Sequence, residues 1–249
     1  MAGWDLPTEF VDEARANTPT LGLIVHGSRA VGVAREDSDY DVIRVVTEGE
    51  YARRKEADAL LERRRPAGSP YVDVLYQSPG GLEWHAANPG PWTATYTSAR
   101  VVFDKTGQVA DLVRAIVETA GQRAYEAVPE SYDSYLNSFV RSMKSWRRGD
   151  ELGGRLHAAE SALYLVKTLF GLERRWPPYH DALVAELPTV GTAQGWKQNE
   201  LCEALLRLVE TGDPTLQQEL ERRVESLLRE RCFEHEWGGD LEPLKALRF

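Results

Sequence analysis

Short apolar runs cut by polar breaks fill the first half of the chain, and longer stretches at helical spacing fill the second. Leu21 to Val25 is a compact apolar run that Gly27-Ser28 breaks, as the end of a strand is broken. Asp39 to Val46 (Asp-Tyr-Asp-Val-Ile-Arg-Val-Val), Tyr71 to Tyr76 and Ala99 to Phe103 predict three more strands. Helices are predicted over 7–17, 50–65 and 109–119. The second of these ends in Arg63, Arg64 and Arg65, where basic side chains suit the negative end of a helix dipole; that reading is preferred over a phosphate site. Gly80 to Tyr96, with Pro89 and Pro91, reads as a loop. From Pro129 the β-branched runs vanish, and helices are predicted over about 130–148, 152–170, 179–187, 196–210 and 214–236. Gly149, Gly153-Gly154, Pro177-Pro178, Pro188 and Gly212 punctuate them.

This order predicts an α+β chain: a mixed β-sheet with flanking helices over 1–124, then an all-helical bundle over 125–249. At roughly 150 residues per domain, the length of 249 residues suits one large domain or two small ones. With 42% hydrophobic and 28% charged residues the chain has enough apolar material for a packed core. Asp+Glu 39 against Lys+Arg 30 gives a net charge of −9, which argues against a general nucleic-acid or anionic-membrane surface. A polyanion is then expected only in a local basic cleft or through bridging metal ions. The two cysteines, Cys202 and Cys232, fall in helical patterns and make no disulfide scaffold. The first ten residues show neither a basic nor an apolar leader region, and no run approaches 18 apolar residues. A soluble, cytoplasmic protein is expected.

The chemistry concentrates in three places: His26-Gly27-Ser28, then Asp39-Tyr40-Asp41, and later Val72-Asp73-Val74. Two acids two apart in a strand project from one face, roughly 6–7 Å apart at the backbone. Joined by a third from a neighbouring strand, they can bridge a pair of divalent cations about 3.5–4 Å apart. Oxygen-only ligands select Mg²⁺ or Mn²⁺ over Zn²⁺. Without a cation, three converging carboxylates repel one another. A glycine directly after a strand lets the backbone approach a phosphate, and the Ser28 hydroxyl, with free N–H groups if a helix begins there, can donate to it. One residue fits less neatly. Arg44 falls on the strand face opposite the acids, beside Val42 and Val46, and is expected to snorkel at a sheet edge.

The pattern Gly27-Ser28…Ser38-Asp39-Tyr40-Asp41-Val42…Val72-Asp73-Val74 resembles that of the nucleotidyltransferase superfamily typified by DNA polymerase β. The helical second half resembles its small-molecule branch, the aminoglycoside, streptomycin and lincosamide nucleotidyltransferases. The motif match covers residues 24–76, and the helical half matches only in type. By resemblance, Asp39, Asp41 and Asp73 hold two Mg²⁺ or Mn²⁺ ions, and Gly27 and Ser28 meet the triphosphate. The activity implied is transfer of a nucleoside monophosphate, AMP from ATP, to a hydroxyl of a small molecule such as an antibiotic, with release of pyrophosphate.

The helical half offers weaker signals. Glu160 and Lys167 are seven apart and share a helix face. Either that face lines an interdomain cleft, with Lys167 at the triphosphate and Glu160 as proton acceptor, or it is a solvated stripe. Apolar residues on several sides of the helix favour the cleft. Arg174, Arg175 and Tyr179 are further candidates. Glu83, Trp84, His85, Trp92 and Tyr96 either line a pocket, with Glu83 a rival base, or cover the sheet edge. Two other readings stay open: an AMP transferase acting on a protein or a tRNA, and a retired enzyme that binds nucleotide and regulates a partner. The tRNA version suits the acidic balance poorly, and three intact acids argue against retirement. The sequence leaves the acceptor, the base preference and the oligomeric state unspecified.

Overall fold

The computed structural model describes residues 6–235, 237 and 241–248. Glu236, the last residue of the helix expected over 214–236, lies outside them, as do the first five residues. The fold is α+β, and the chain divides into two compact units, Met1–Arg123 and Ala124–Phe249.

The first unit is built on a five-stranded mixed sheet in the order β3-β4-β2-β1-β5. The strands are β1 (Thr20–His26), β2 (Tyr40–Val46), β3 (Leu61–Arg64), β4 (Val72–Gln77) and β5 (Arg100–Asp104). Only β2 and β4 run parallel; β1 pairs antiparallel with β2 and β5, and β3 pairs antiparallel with β4. Central β1 and β2 are covered on both faces, which explains their nearly continuous apolar sequence. On one face, Phe10 and Ala14 of α1 (Thr8–Ala16) pack with Leu23, Val25, Val42 and Val74. On the other, Ile24, Ile43 and Val45 meet Leu82 of α4 (Pro79–Ala87) and Val109 and Ile116 of α6 (Gln108–Glu126).

Three expectations for this unit are corrected. Helix α3 (Glu48–Glu56) stops well before Arg65, with Asp58 in left-handed backbone at φ 52°. The chain then pairs as β3 with the free edge of β4, because that ladder offers hydrogen bonds a solvated helix end lacks. Tyr76 Oη, donating to Glu62 Oε2 at 2.7 Å, ties the pair together. Second, the 80–96 segment is not a loop: α4 is followed by a 3₁₀ turn at Pro91–Thr93 and the short α5 (Ala94–Thr97). Ser78 caps α4 by accepting from Gly81 N–H, and Pro79 occupies its first turn. Third, Arg44 does not snorkel. Strand β2 lies mid-sheet, so Arg44 is 2% exposed; its Nε donates to Thr20 Oγ1 at 2.8 Å and its Nη1 to Glu13 Oε1 at 3.2 Å.

In the second unit, α7 (Val128–Arg147) and α8 (Glu151–Leu172) form an antiparallel hairpin. Asp150 caps α8 by accepting from Gly153 N–H at 2.9 Å, and Ser142 Oγ donates to Gly154 O at 2.7 Å. Around the hairpin lie α9 (Leu183–Ala193), α10 (Glu200–Thr211), α11 (Pro214–Glu230) and the four-residue α12 (Glu242–Lys245). Helix α9 begins later than expected and runs through Pro188, and α10 begins only after Asn199, whose φ is 67°. Phe139, Met143, Leu165 and Leu169 are among the buried side chains of its core. Two ionisable side chains, Glu221 and Lys245, sit inside it. Glu221 of α11 is fully buried, accepting from Tyr132 Oη at 3.2 Å and facing Lys245 Nζ at 3.4 Å. Cys202 and Cys232 are free thiols, and Cys232 lies beyond the end of α11. No helix among the described residues is long and apolar enough to cross a membrane.

Candidate active site

Strand β1 buries Leu23, Ile24 and Val25 completely and delivers the chain to Gly27, where it reverses at φ 69° into the short helix α2 (Gly27–Val31). A Cβ at Gly27 would lie 2.2 Å from Asp41 Oδ2, so backbone and carboxylate approach as only glycine permits. This closeness follows from register, since His26 and Asp41 are cross-strand partners. Burial pushes His26 down to about 4, and its Nδ1 lies 2.8 Å from Thr95 Oγ1.

Arg29, one turn into α2, is nearly buried and holds the connection to β2. Its Nε donates to Ser38 O at 3.1 Å, its Nη2 to Ser38 O and Glu36 O, and its guanidinium stacks 3.8 Å from the Tyr40 ring centroid. Arg29 thereby fixes the residues on both sides of Asp39. The sequence reading passed over it, although an arginine just after a Gly-Ser break was a visible signal.

The acids come from separate elements. Asp41 of β2 and Asp73 of β4 are partners in the parallel register, side by side on adjacent strands. Asp39 stands one residue before β2 rather than inside it, so the period-two argument applies to Asp41 but not to Asp39. Arg63 gathers Asp39 in. It lies opposite Asp73 in the β3–β4 ladder, with its Nη2 2.7 Å from Asp39 Oδ2 and its Nε 3.4 Å from Asp73 Oδ1. Its guanidinium also rests 4.3 Å from the Tyr71 ring centroid. The helix-dipole reading of Arg63 and Arg64 is therefore wrong. Arg63 is a strand residue set between two carboxylates, and Arg64 pairs with Glu62 and Glu13.

The donor set is right for a hard divalent cation, with carboxylate oxygens and no sulfur or imidazole in the group of acids. Among the described residues, however, no three His, Cys, Asp or Glu side chains are arranged to hold a metal ion as they stand. Arg63, seated between Asp39 and Asp73, is a physical reason: a guanidinium occupies carboxylate oxygens that a cation would take.

Glu160 and Lys167 belong to α8 in the second unit. Glu160 Oε2 accepts from Ser138 Oγ at 3.1 Å and lies 3.4 Å from His157 Nδ1, while Lys167 Nζ sits 5.1 Å from the Tyr164 ring centroid. Arg174 stacks on Tyr125 at 4.6 Å, Arg175 pairs with Glu186, and Tyr179 is exposed. Trp84 and Trp92 are also exposed, whereas Tyr96 is buried and packs against the His85 ring with centroids 5.6 Å apart.

No family model matches this chain, and no curated protein matches it. Among solved structures it is similar to a nucleotidyltransferase-like protein from Exiguobacterium sibiricum 255-15, at 14% identity over 96% of this chain and 85% of that one, with a TM-score of 0.40.

Proposed function

We propose that this chain is a metal-dependent nucleotidyltransferase that moves a nucleoside monophosphate, AMP from ATP, onto a hydroxyl of a small molecule such as an antibiotic or related natural product. The observation that carries the reading is the pairing of Asp41 with Asp73 on adjacent parallel strands, with Asp39 drawn to the same group and the Gly27 backbone pressed against Asp41. Asp39, Asp41 and Asp73 would hold two Mg²⁺ or Mn²⁺ ions. When bound, such ions neutralise phosphate charge and lower the pKa of a coordinated hydroxyl.

The chain's own groups take the remaining roles. Gly27, having no side chain, lets the turn pass close to the Asp41 carboxylate, and the Ser28 hydroxyl beside it donates to the triphosphate. The acceptor oxygen forms its bond to the α-phosphorus as the α–β phosphoanhydride breaks, and pyrophosphate departs. The acidic balance of the chain, −9 overall, suits a cationic acceptor.

Pyrophosphate release, measured with four nucleoside triphosphates and a panel of hydroxyl acceptors in Mg²⁺ or Mn²⁺, tests the reading. Turnover should need the divalent ion and stop in EDTA. Asp39→Asn and Asp41→Asn should each lower it by several orders of magnitude while leaving the metal-free fold intact. A destabilised variant that still turns over would make these aspartates structural. One observation favours a second reading, a retired nucleotide-binding regulator: Arg63 lets the acids coexist without a metal ion. Nucleotide binding with no pyrophosphate from any combination would establish that alternative. AMP transfer to a protein would instead appear as added mass on the protein target.

A further inference from the structure

The carboxylate group already has a cation. Arg63 reaches Asp39 and Asp73 at once, and its place in the β3–β4 ladder fixes it opposite Asp73, so its position is a property of the sheet rather than of a wandering side chain. A divalent ion needs those same oxygens, and a guanidinium left among them would repel it. Two features make Arg63 displaceable. Its side chain is 56% exposed, so leaving the acids strands no buried charge, and the Tyr71 ring it already rests against is a contact it can keep as it turns. The guanidinium fork also matches phosphate oxygens as well as it matches carboxylates.

We propose that Arg63 is the resident counter-ion of this site and that divalent cations enter by displacing it, so that the metal is taken up with a nucleotide polyphosphate rather than as a free ion. The inference rests on the nucleotidyltransferase reading above. Free Mn²⁺ must compete with the guanidinium for the acids. Metal carried by a polyphosphate brings new oxygens to which Arg63 can turn, so the exchange loses no charge pair. Arg63 is thus a positioning residue that acts through Asp39 and Asp73. In the metal-free protein it relieves the repulsion between the Asp39 and Asp73 carboxylates that it bridges.

The test is a Mn²⁺ titration of the full chain without nucleotide, following free Mn²⁺ by electron paramagnetic resonance. Wild type, Arg63→Gln, Arg63→Lys and Asp41→Asn are compared, and each is melted without metal. Arg63→Gln should bind Mn²⁺ about tenfold tighter than wild type, as expected for removing a competing pair of half-exposed ion contacts. Arg63→Lys, whose single ammonium cannot span both acids, should fall between them and guards against a folding defect in the neutral variant. With a non-hydrolysable ATP analogue present, the advantage of Arg63→Gln should vanish or reverse. Equal or weaker Mn²⁺ binding by Arg63→Gln, with binding lost in Asp41→Asn, overturns the counter-ion role and leaves the metal site standing. Absence of Mn²⁺ binding in every chain, with and without the analogue, overturns both.

Discussion

Gly27 and Gly32 both hold left-handed backbone, at φ 69° and 86°, but their surroundings differ. A Cβ at Gly32 meets open space, whereas one at Gly27 lands 2.2 Å from Asp41 Oδ2. Gly32→Ala should therefore cost only the left-handed backbone penalty, about 1–2 kcal/mol. Gly27→Ala pays that and must also push a carboxylate aside, adding about 1–3 kcal/mol of overpacking. Denaturant melts of the two variants isolate the difference, and equal losses would mean that the Asp41 carboxylate moves freely. The close approach was foreshadowed in the sequence, because a glycine just after an apolar run marks a backbone that something must approach. Its partner was not. Asp41, rather than a phosphate, is what the resting chain sets there, and only the β1–β2 register says so.

Between elements, the contact of α1 with β2 turns on Arg44. The guanidinium is buried, while Glu13 is about half exposed and is shared with Arg64. The two ends of this ion pair are unequal. Arg44→Met replaces a buried charge by an apolar chain of similar reach and leaves Glu13 solvated and still paired, so stability should change by less than about 1.5 kcal/mol. Glu13→Ala leaves the buried guanidinium with only the Thr20 hydroxyl and the Tyr76 ring face and should cost about 3 kcal/mol. Urea melts rank the two, and a costlier Arg44→Met would show that the pair itself stabilises the fold. Strand β3 teaches the same lesson from the other side. Residues 57–64 look helical by composition, yet the open edge of β4 recruits the last four of them. For α4 a local signal existed in Ser78-Pro79, a cap followed by a first-turn proline, but Gly80-Gly81 masked it by lowering helix propensity.

Across the whole molecule, the two units should answer pH in opposite senses. His26 is held neutral by burial, down from 6.5 to about 4. Below about 6.5 the unfolded chain gains a proton that the folded one refuses, so the first unit is at full stability above that pH and loses it as pH falls toward 4. The loss is bounded at about 3 kcal/mol by the size of the shift. In the second unit, burial, opposed by Lys245, pushes Glu221 up from 4.5 to about 8. Both states are protonated below 4.5, so this contribution is whole there and is lost as pH rises toward 8. Hydrogen exchange corrected for intrinsic rates, at pH 5 and pH 7, should show the first unit opening more readily at the lower pH and the second at the higher. His26→Gln and Glu221→Gln should each flatten the response of their own unit. Parallel responses in both units would refute the assignment.

The sequence alone determined what depends on local pattern. Apolar runs too short for helices made β1, β2, β4 and β5, the long 3.6-period stretches made α7 and α8, and the spacing of Gly27, Asp41 and Asp73 marked a group of acids beside a glycine turn. What it left undecided depends on which strand lies next to which. That Asp73 stands beside Asp41, that Arg44 is buried because β2 is central, and that Arg63 falls between two carboxylates all follow from the strand order β3-β4-β2-β1-β5. Residues far apart in the chain become neighbours only when a ladder fixes their register, and a side chain's burial is set by what covers it. Period and propensity therefore revealed the parts and the acids. Only the assembled sheet could supply the arginine that bridges two of them.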